Sequence, residues 1–273
     1  MVKITQENYS LPHIHATEWR EVLDSGTTQP MLILGIDQDS GTRDSFVLKP
    51  CSSPRMFSGA ICNELLGAWI GIELGLKVFE PVLINVSAEF AESIRGHEHY
   101  SSMIKSIGLN FGTRYMPGCR KLPSNQLLTN PQIVQAEQVV TFDMYIDNAD
   151  RGAGNANLLM HDSDLYVFDH ELAFSFILAF SFNKNPKPWE LRNTELELLR
   201  KHFLYSRLRG SKIDISEFVE KFTLLDDTFW SKAKMYLPDQ WFSEDFNTIK
   251  NHLTLISENR AIFAKELSNA LLV

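Results

Sequence analysis

The segment from residue 142 to residue 174 constrains the fold of this chain most strongly, because it joins acidic and amide side chains to apolar runs. Two short apolar runs, 158–160 and 165–168, flank the tetrapeptide H-D-S-D, which has the composition of a turn. This pattern predicts a β-hairpin. Asn155 precedes the hairpin and Asp169 follows it, so we expect the hairpin to bring these two side chains together.

Asp150 lies on the loop before that hairpin, after a segment with helical spacing of its apolar residues. These residues are spaced by three and four: Val139, Phe142 and Ile146. One site would then receive a carboxylate from Asp150, a carboxamide oxygen from Asn155 and a second carboxylate from Asp169. Oxygen ligands of this kind suit hard divalent cations such as Mg²⁺, which commonly also bind substrate phosphates.

The spacing D-x-x-x-x-N from Asp150 to Asn155 is that of the kinase catalytic loop. In that loop Asp accepts the proton of the substrate hydroxyl and Asn holds a metal ion. Asp169 takes the position of the metal-binding Asp of D-F-G, written here as D-H-E. The spacing alone leaves open that Asp150 and Asn155 are turn residues and that Asp169 caps a strand. Its combination with the hairpin favours the catalytic interpretation.

The motif N-A-D-R-x-x-x-N-x-N-L-L, followed by V-F-D-H-E, resembles the sequences of the HipA-like kinase family more closely than those of eukaryotic protein kinases. The segments F-G-T-R-Y-M-P-G, L-P-D-Q-W-F and N-R-A-I-F-A are similar to the same family, so the resemblance covers roughly residues 31–270. It implies an α+β fold that is bilobal and protein-kinase-like. A small β-rich N-lobe (1–116) would be followed by a mainly helical C-lobe (117–273).

This resemblance also implies ATP and Mg²⁺ as cofactors, with Asn155 and Asp169 holding Mg²⁺ and Asp150 orienting the acceptor hydroxyl. Two departures accompany it. Arg151 precedes Gly152 where family members often carry His, and Glu171 stands where a small residue is more usual. Glu171 would either join the metal ligands or interfere with them.

Residues 31–50 predict another hairpin, with Lys49 at the end of its second strand. No G-x-G-x-x-G occurs there, so phosphate contacts from Gly41 and its neighbours would come through backbone N–H groups in the turn. In a kinase the strand lysine would bind the phosphates of ATP. The alternative is a strand-end lysine that extends into water.

Residues 58–77 predict a helix with a broad apolar stripe, and Glu64 lies on or beside that stripe. A buried carboxylate is costly unless it is paired. Lys49 is its candidate partner, which would give the lysine–glutamate pair that kinases need for phosphate positioning. Glu73 is the competing acidic residue; because Gly75 follows it, we expect Glu73 to face water near the helix end.

Other segments carry weaker signals. Residues 109–116 predict a strand, and the resemblance places adenine against the backbone near Arg114, Tyr115 and Met116. Residues 1–30 are polar and irregular and would contribute at most an edge strand or a short helix. Pro81 restricts the strand at 76–85 to an edge or a bend. At the C-terminus, residues 244–271 predict one long helix.

Composition excludes several classes of protein. The net charge of −8 argues against a nucleic-acid surface, so we do not expect direct binding of nucleic acid. The three cysteines lack the C-x-x-C spacing, which predicts buried free thiols in a reducing cytosol. Residues 1–15 contain no apolar core of a signal peptide, and the apolar run 172–182 is too short to span a bilayer. We expect a soluble cytoplasmic protein.

Three functions remain open at this point. The first is a HipA-like serine/threonine protein kinase, for which the resemblance suggests a role as a toxin or stress regulator and an antitoxin-like protein partner. The second is a phosphotransferase that acts on the hydroxyl group of a small molecule. The third is a pseudokinase that binds nucleotide without turnover, supported by Glu171 and the missing glycine loop. An open groove beside Asp150 would favour a protein substrate, and a broad acidic pocket would favour a cationic metabolite.

Overall fold

The computed structural model describes residues 1–23, 28–152, 154–178 and 185–272. In these ranges the N-terminal part is β-rich and the C-terminal part is mainly helical. The strands are β1 (His13–Val22), β2 (Met31–Asp37), β3 (Arg43–Lys49), β4 (Lys77–Val78), β5 (Pro81–Val86), β6 (Gly108–Arg114), β7 (Arg120–Lys121), β8 (Leu158–His161) and β9 (Asp164–Val167). The helices are α1 (Ser58–Leu74), α2 (Ala88–Ser93), α3 (Tyr100–Lys105), α4 (Asn130–Tyr145), α5 (Asn193–Lys201), α6 (Tyr205–Leu208), α7 (Ser216–Glu220), α8 (Asp227–Tyr236), α9 (Phe246–Glu258) and α10 (Arg260–Leu272).

Five strands close into a barrel in the order β1-β2-β3-β6-β5. The predicted hairpin at residues 31–50 is confirmed as β2 and β3, which pair antiparallel from Met31 with Leu48 to Ile36 with Arg43. Buried apolar side chains from alternate strand positions fill the barrel, and α2 and α3 add Phe90 and Met103 to the same cluster. Lys49 is the last residue of β3 and is buried.

A second sheet, in the order β4-β9-β8-β7, carries the hairpin predicted after Asn155. β8 and β9 pair antiparallel from Leu158 with Val167 to His161 with Asp164, so the prediction is confirmed. Their buried residues alternate with half-buried ones along each strand, as the two-residue period of a strand predicts. Asp169 therefore leaves the sheet at the same end at which the chain enters it.

Helix α1 is buried along almost its entire length, including Leu65, Trp69 and Leu74. It belongs to the larger apolar core, which also contains the C-terminal helices, and it contacts the 3-10 turns Lys221–Leu224 and Asp239–Trp241. A helix that is apolar on all sides is expected in a protein interior. Glu64 is thus carried by a helix that is packed against the C-terminal part of the chain.

Three expectations for local structure are wrong. Residues 13–22 form β1, which is not an edge strand because it pairs with both β2 and β5. Pro81 lies in a strand that is bonded on both sides, which is tolerated because it is the first residue of β5. The long helix predicted over residues 244–271 is divided at Asn259 into α9 and α10.

No helix in the described ranges is long and apolar enough to cross a membrane. Positions 179–182 of the apolar run lie outside those ranges. In the part of the chain that the structure describes, Cys51, Cys62 and Cys119 are free thiols. Cys62 is buried as predicted, whereas Cys51 and Cys119 are only half-buried.

An aromatic stack joins the C-terminal helices to the segment that follows Asp169. The ring of His252 on α9 lies parallel to that of Phe176, with ring centroids 3.6 Å apart. Burial lowers the pKa of His252 to about 4 from an ordinary value of 6.5. The folded protein therefore holds this ring neutral at pH values where the unfolded chain binds a proton.

We predict that this stack makes stability depend on pH. Between about pH 6.5 and pH 4 the unfolded state binds more protons at His252, so the free energy of unfolding falls as the pH is lowered. His252→Phe keeps an aromatic ring but cannot bind a proton. In this variant the free energy of unfolding should fall by about 1–3 kcal/mol less than in wild type over the same pH range. Urea unfolding at a series of pH values measures it.

The matched control is His13→Phe at an exposed strand position, which should leave the pH dependence as in wild type. Parallel stability profiles for His252→Phe and wild type across this range would contradict the prediction.

Candidate functional site

A cavity of about 770 Å³ lies between the barrel and the C-terminal part of the chain. All but one of the predicted site residues line it: Lys49, Glu64, Arg114, Tyr115, Met116, Asp150, Asn155 and Asp169. Apolar side chains, among them Val47, Val78 and Phe168, line it as well. Gly41 does not, because it lies in the turn between β2 and β3 with φ +68° and open space around its Cα. The fold thus gathers residues from widely separated segments around one cavity.

Lys49 is the centre of a buried ion-pair network. Its Nζ donates to Glu64 and, at 2.7 Å, to Oδ1 of Asp169. Only 8% of Lys49 and 1% of Glu64 are exposed to solvent. The predicted ion pair between Lys49 and Glu64 is therefore present, and Asp169 extends it. Burial lowers the pKa of Lys49, but the two carboxylates outweigh burial and raise the pKa above its ordinary value.

Glu64 also fixes the backbone beyond Asp169. Its second carboxylate oxygen accepts a hydrogen bond of 2.9 Å from the backbone N–H of His170. Both oxygens of Glu64 are thus used, one by the lysine and one by the loop that carries Asp169. Lys49 in turn lowers the pKa of Asp169 against the opposing effect of burial.

The expectation that Glu73 faces water is wrong. Glu73 is only 3% exposed, and its Oε1 accepts a hydrogen bond of 2.9 Å from the hydroxyl of Thr5. Lys3 donates to the Glu73 backbone carbonyl at 2.8 Å. The N-terminal residues cover this end of α1, which sequence spacing along the helix does not reveal.

The carboxylate of Asp150 is oriented by two carboxamides. Its Oδ2 accepts hydrogen bonds from Nδ2 of Asn155 at 2.9 Å and from Nδ2 of Asn157 at 3.1 Å. Because an ionised carboxylate only accepts hydrogen bonds, each amide nitrogen must face Asp150. The carboxamide oxygen of Asn155 is then directed away from Asp150 and is free to serve as a metal ligand. Burial, and next the carboxylate of Asp169, raise the pKa of Asp150.

A second buried charge network supports the loop that carries Asp150. Oδ2 of Asp143, on α4, accepts from Nε of Arg151 at 2.5 Å and pairs with Nε2 of His202 at 3.0 Å. Its Oδ1 accepts from Nδ2 of Asn148 at 2.9 Å. Arg151 also donates to the backbone carbonyl of Asn157. Both ends of the loop are therefore tied to one carboxylate on a helix.

Sequence reasoning missed this network. Arg151 was noted only as a departure from the family pattern, and Asp143 was not noted. The signal that identifies Glu64, a carboxylate within an apolar helical segment, applies equally to Asp143 between Phe142 and Met144. Against the effect of burial, Arg151 and His202 hold the pKa of Asp143 well below its usual range.

The turn at residues 169–171 approaches α1 closely. Asp169 has φ +63°, a left-handed conformation that Asp tolerates better than most residues, and the chain turns there. The ring of His170 is buried against Phe142 and Gly67, and burial, then Arg151, lower its pKa to about 3. A Cβ at Gly67 would lie 2.5 Å from the Cβ of His170. Glycine at this position allows Glu64 to reach the His170 amide.

Glu171 lies beyond this turn, and the exposed fraction of the residue is 3%. Its Oε1 is 3.8 Å from Nη1 of Arg55, a residue with φ +72° whose side chain is half exposed. Burial, with Asp169 as the next cause, raises the pKa of Glu171 to about 7. Glu171 and Arg55 both line the cavity. The sequence leaves open whether Glu171 joins the metal ligands or interferes with them, and it gives no signal for Arg55.

Comparison with protein families gives a match over residues 17–185, more than half of the chain, to the family described as HipA-like kinase. Among solved structures, the chain is similar to a proinflammatory kinase of Helicobacter pylori, CtkA. The sequences are 11% identical, the TM-score is 0.45, and the match covers 93% of this chain and 96% of the other. A comparison with curated proteins gives no match.

We predict that Gly67→Ala separates α1 from the 169–171 turn. The added methyl group meets His170 at an overpacked distance, so the free energy of unfolding should fall by about 1–3 kcal/mol. The hydrogen bond from the His170 amide to Glu64 should break as well. Hydrogen exchange measures this as faster exchange at residues 169–171.

Gly59→Ala in the same helix is the matched control, since a Cβ there meets only the exposed side chain of Phe57. It should leave exchange at 169–171 unchanged and stabilise by up to about 1 kcal/mol. Equal exchange rates at 169–171 in Gly67→Ala and wild type would show that the close approach is not required.

We also predict that Asp143→Ala destabilises the protein strongly. The change leaves Arg151 buried without a carboxylate partner, which typically costs about 3–5 kcal/mol. Chemical denaturation measures the loss. Asp227→Ala, at an exposed carboxylate paired with Lys250, is the control and should destabilise far less, because surface ion pairs contribute little. Equal effects of the two substitutions would contradict a structural role for the Asp143 network.

Proposed function

The chain belongs to the HipA-like kinase family, and on that basis we propose that it is an ATP- and Mg²⁺-dependent serine/threonine protein kinase. It would transfer the γ-phosphoryl group of ATP to a hydroxyl group. One observation carries this proposal: Lys49 bridges Glu64 and Asp169 inside a cavity that Asp150 and Asn155 also line. This arrangement matches the parts that phosphoryl transfer needs for positioning and charge neutralisation.

In this proposal the two parts of the chain act as the lobes of a kinase. Residues 1–116 would form the N-lobe and residues 117–273 the C-lobe, with ATP in the cavity between them. The position of Lys49 at the end of barrel strand β3 supports this division. The apolar core shared by α1 and the C-terminal helices would hold this N-lobe helix against the C-lobe.

Adenine would lie against the backbone of Arg114, Tyr115 and Met116, beside the apolar lining of the cavity. The backbone N–H groups of Arg114 and Tyr115 already donate to the carbonyls of Glu80 at 2.9 Å and Ser45 at 3.0 Å. Met116 is thus the residue of the three whose N–H meets no acceptor among the described residues. We propose that Met116 makes the backbone contact with the base.

The side chain of Arg114 would have a supporting role. Its guanidinium donates to Glu80 at 2.6 Å and to Asp44 at 2.7 Å, which ties the end of β6 to strand β3 and to the residue before β5. Such a tethered arginine is not available to pair with a phosphate. Its contribution to nucleotide binding would be the position of the backbone that follows it.

The phosphate end of the nucleotide would bind at Lys49, which Glu64 holds in place. The carboxamide oxygen of Asn155 and the carboxylate of Asp169 are oxygen donors of the type that Mg²⁺ prefers, and they are the residues that would hold it. When bound, Mg²⁺ neutralises charge on the phosphate oxygens. Asp169 uses one carboxylate oxygen for Lys49, which leaves the other for the metal ion.

Asp150 would orient the acceptor hydroxyl and take its proton. Its Oδ2 is held by Asn155 and Asn157, so Oδ1 is the atom that would accept from the hydroxyl. Burial and the nearby Asp169 raise the pKa of Asp150, which makes it a better proton acceptor than an exposed aspartate. The network from Asp143 to Arg151 would keep this loop in position during the transfer.

The acceptor and the partners follow from the family alone. Serine or threonine of a protein is the proposed acceptor, and an antitoxin-like protein is the proposed partner. A small-molecule phosphotransferase would use the same site residues. A nucleotide-binding module without turnover would keep Lys49 and the base contacts but would not need Asp150.

We predict that Mg²⁺-dependent ATP turnover and autophosphorylation require Asp150 and Asp169. Asp150→Asn removes the proton acceptor and should lower kcat by about 10²–10⁴-fold. Asp169→Asn removes a metal ligand and should abolish Mg²⁺-dependent turnover. Asp162→Asn, at the tip of the β8–β9 hairpin, is the matched control and should retain full activity.

The outcomes separate the candidate functions. Turnover that survives both substitutions would contradict the site. ATP binding that is lost in Lys49→Ala, without any turnover in wild type, would identify a nucleotide-binding module. Phosphoserine or phosphothreonine detected by mass spectrometry on added proteins supports the protein kinase, and transfer only to small hydroxyl compounds would support the metabolite kinase.

A further inference from the structure

Glu171 has an unpaired oxygen in the interior of the protein. The exposed fraction of its side chain is 2%, and its Oε2 has no hydrogen-bond partner in the described part of the chain. A buried polar atom without a partner is costly, so native proteins rarely retain one without a reason. A site for a cation is one such reason, because a carboxylate oxygen is a good ligand for a hard metal ion.

Two other carboxylates lie close to the unpaired oxygen of Glu171. Ligand atoms of Glu64, Asp169 and Glu171 all lie within 4.8 Å of one another, close enough to surround one ion. Glu64 is already committed to Lys49 and to the His170 amide. Asp169 keeps one oxygen that does not bind Lys49. Asp169 and Glu171 are therefore the two carboxylates of this group that have an oxygen for a metal ion.

The backbone explains how both residues face the cavity. His170 lies between them with its ring buried against Phe142 and Gly67, on the side of α1. The left-handed turn at Asp169 lies within a segment, residues 168–171, that lines the cavity throughout. Asp169 and Glu171 are thus positioned by the same turn that contacts α1.

Acidic side chains outnumber basic ones at this end of the cavity. Four carboxylates interact with one another here, and two cationic side chains pair with them: Glu64, Asp169, Glu171 and Asp150, with Lys49 and Arg55. A divalent cation bound here would stabilise the ionised forms of these carboxylates.

We infer that Glu171 is a metal ligand, and that with Asp169 it forms a site that binds a divalent cation before nucleotide arrives. This inference deepens the proposed function and rests on it for the identity of the metal-dependent reaction. Kinase sites usually bind Mg²⁺ through one or two carboxylates together with the phosphates of the nucleotide. Here Glu171 would supply a second carboxylate beside Asp169, so the site would need fewer ligands from the nucleotide.

Arg55 is the competing cation. Its guanidinium is 3.8 Å from Oε1 of Glu171 and its side chain is half exposed, so this contact is loose. A metal ion that binds Glu171 replaces the arginine as the neutralising charge. Arg55 is then free to approach the phosphates or the acceptor at the mouth of the cavity, which it lines.

The test measures Mn²⁺ binding to the nucleotide-free full chain, by calorimetry and by the electron paramagnetic resonance of free Mn²⁺. Wild type should bind one Mn²⁺. Glu171→Gln keeps the size of the side chain and removes its charge, and it should weaken binding at least about tenfold. Glu171→Asp retains a carboxylate and should lie between the two. Arg55→Gln should tighten binding severalfold.

Glu73→Gln is the matched control. Glu73 is also 3% exposed and also has an oxygen without a partner, but it lies outside the cavity. It should bind Mn²⁺ like wild type, and circular dichroism shows whether each variant is folded. Wild type that binds no Mn²⁺ without nucleotide, or Glu171→Gln that binds as tightly as wild type, would overturn the inference.

ATP turnover at saturating Mg²⁺ separates this inference from the proposed function. If the protein turns over ATP but binds no Mn²⁺ in the absence of nucleotide, the kinase proposal stands and the Glu171 site is rejected. If Mn²⁺ binding depends on Glu171 but no ATP is turned over, the cation site stands and the kinase proposal is rejected.

Discussion

The ion pairs of Lys49 are the interaction on which the rest of the site depends. A lysine that is 8% exposed needs compensation for lost solvation, and Glu64 and Asp169 supply it from two different segments. Since Glu64 also accepts the His170 amide, one buried carboxylate fixes strand β3, helix α1 and the turn after β9 relative to one another. Removal of Lys49 would leave two carboxylates inside the protein without their cationic partner.

A second buried carboxylate with several partners lies behind the loop of Asp150. Asp143 holds Arg151 and Asn148, and thereby the loop of Asp150, just as Glu64 holds Lys49 and the turn of Asp169. Each network places a carboxylate on a buried helix and ties it to an irregular segment that carries site residues. Loops are otherwise the more mobile parts of a fold. Here buried charge pairs make them dependent on rigid helices.

The close approach of the 169–171 turn to helix α1 is as important for the site as the buried charge pairs. Gly67 leaves room for the ring of His170, and without that room the Glu64 carboxylate would not reach the amide beyond Asp169. Glu171 follows this turn, and its Oε2 has no hydrogen-bond partner among the described residues. The features that hold the site together and the feature that suggests a metal ligand thus arise from a single turn.

Local spacing was sufficient for the hairpins at residues 31–50 and 158–168, for α1 and for the pairing of Lys49 with Glu64. Each depends on periodicity, or on the cost of an unpaired charge in an apolar helix, and both can be read from the sequence. Local spacing did not predict four other features: the closed barrel, the pairing of β1 on both sides, the burial of Glu73 and the network of Asp143. They depend on contacts between segments far apart in the chain, and only the tertiary structure decides which distant groups become neighbours.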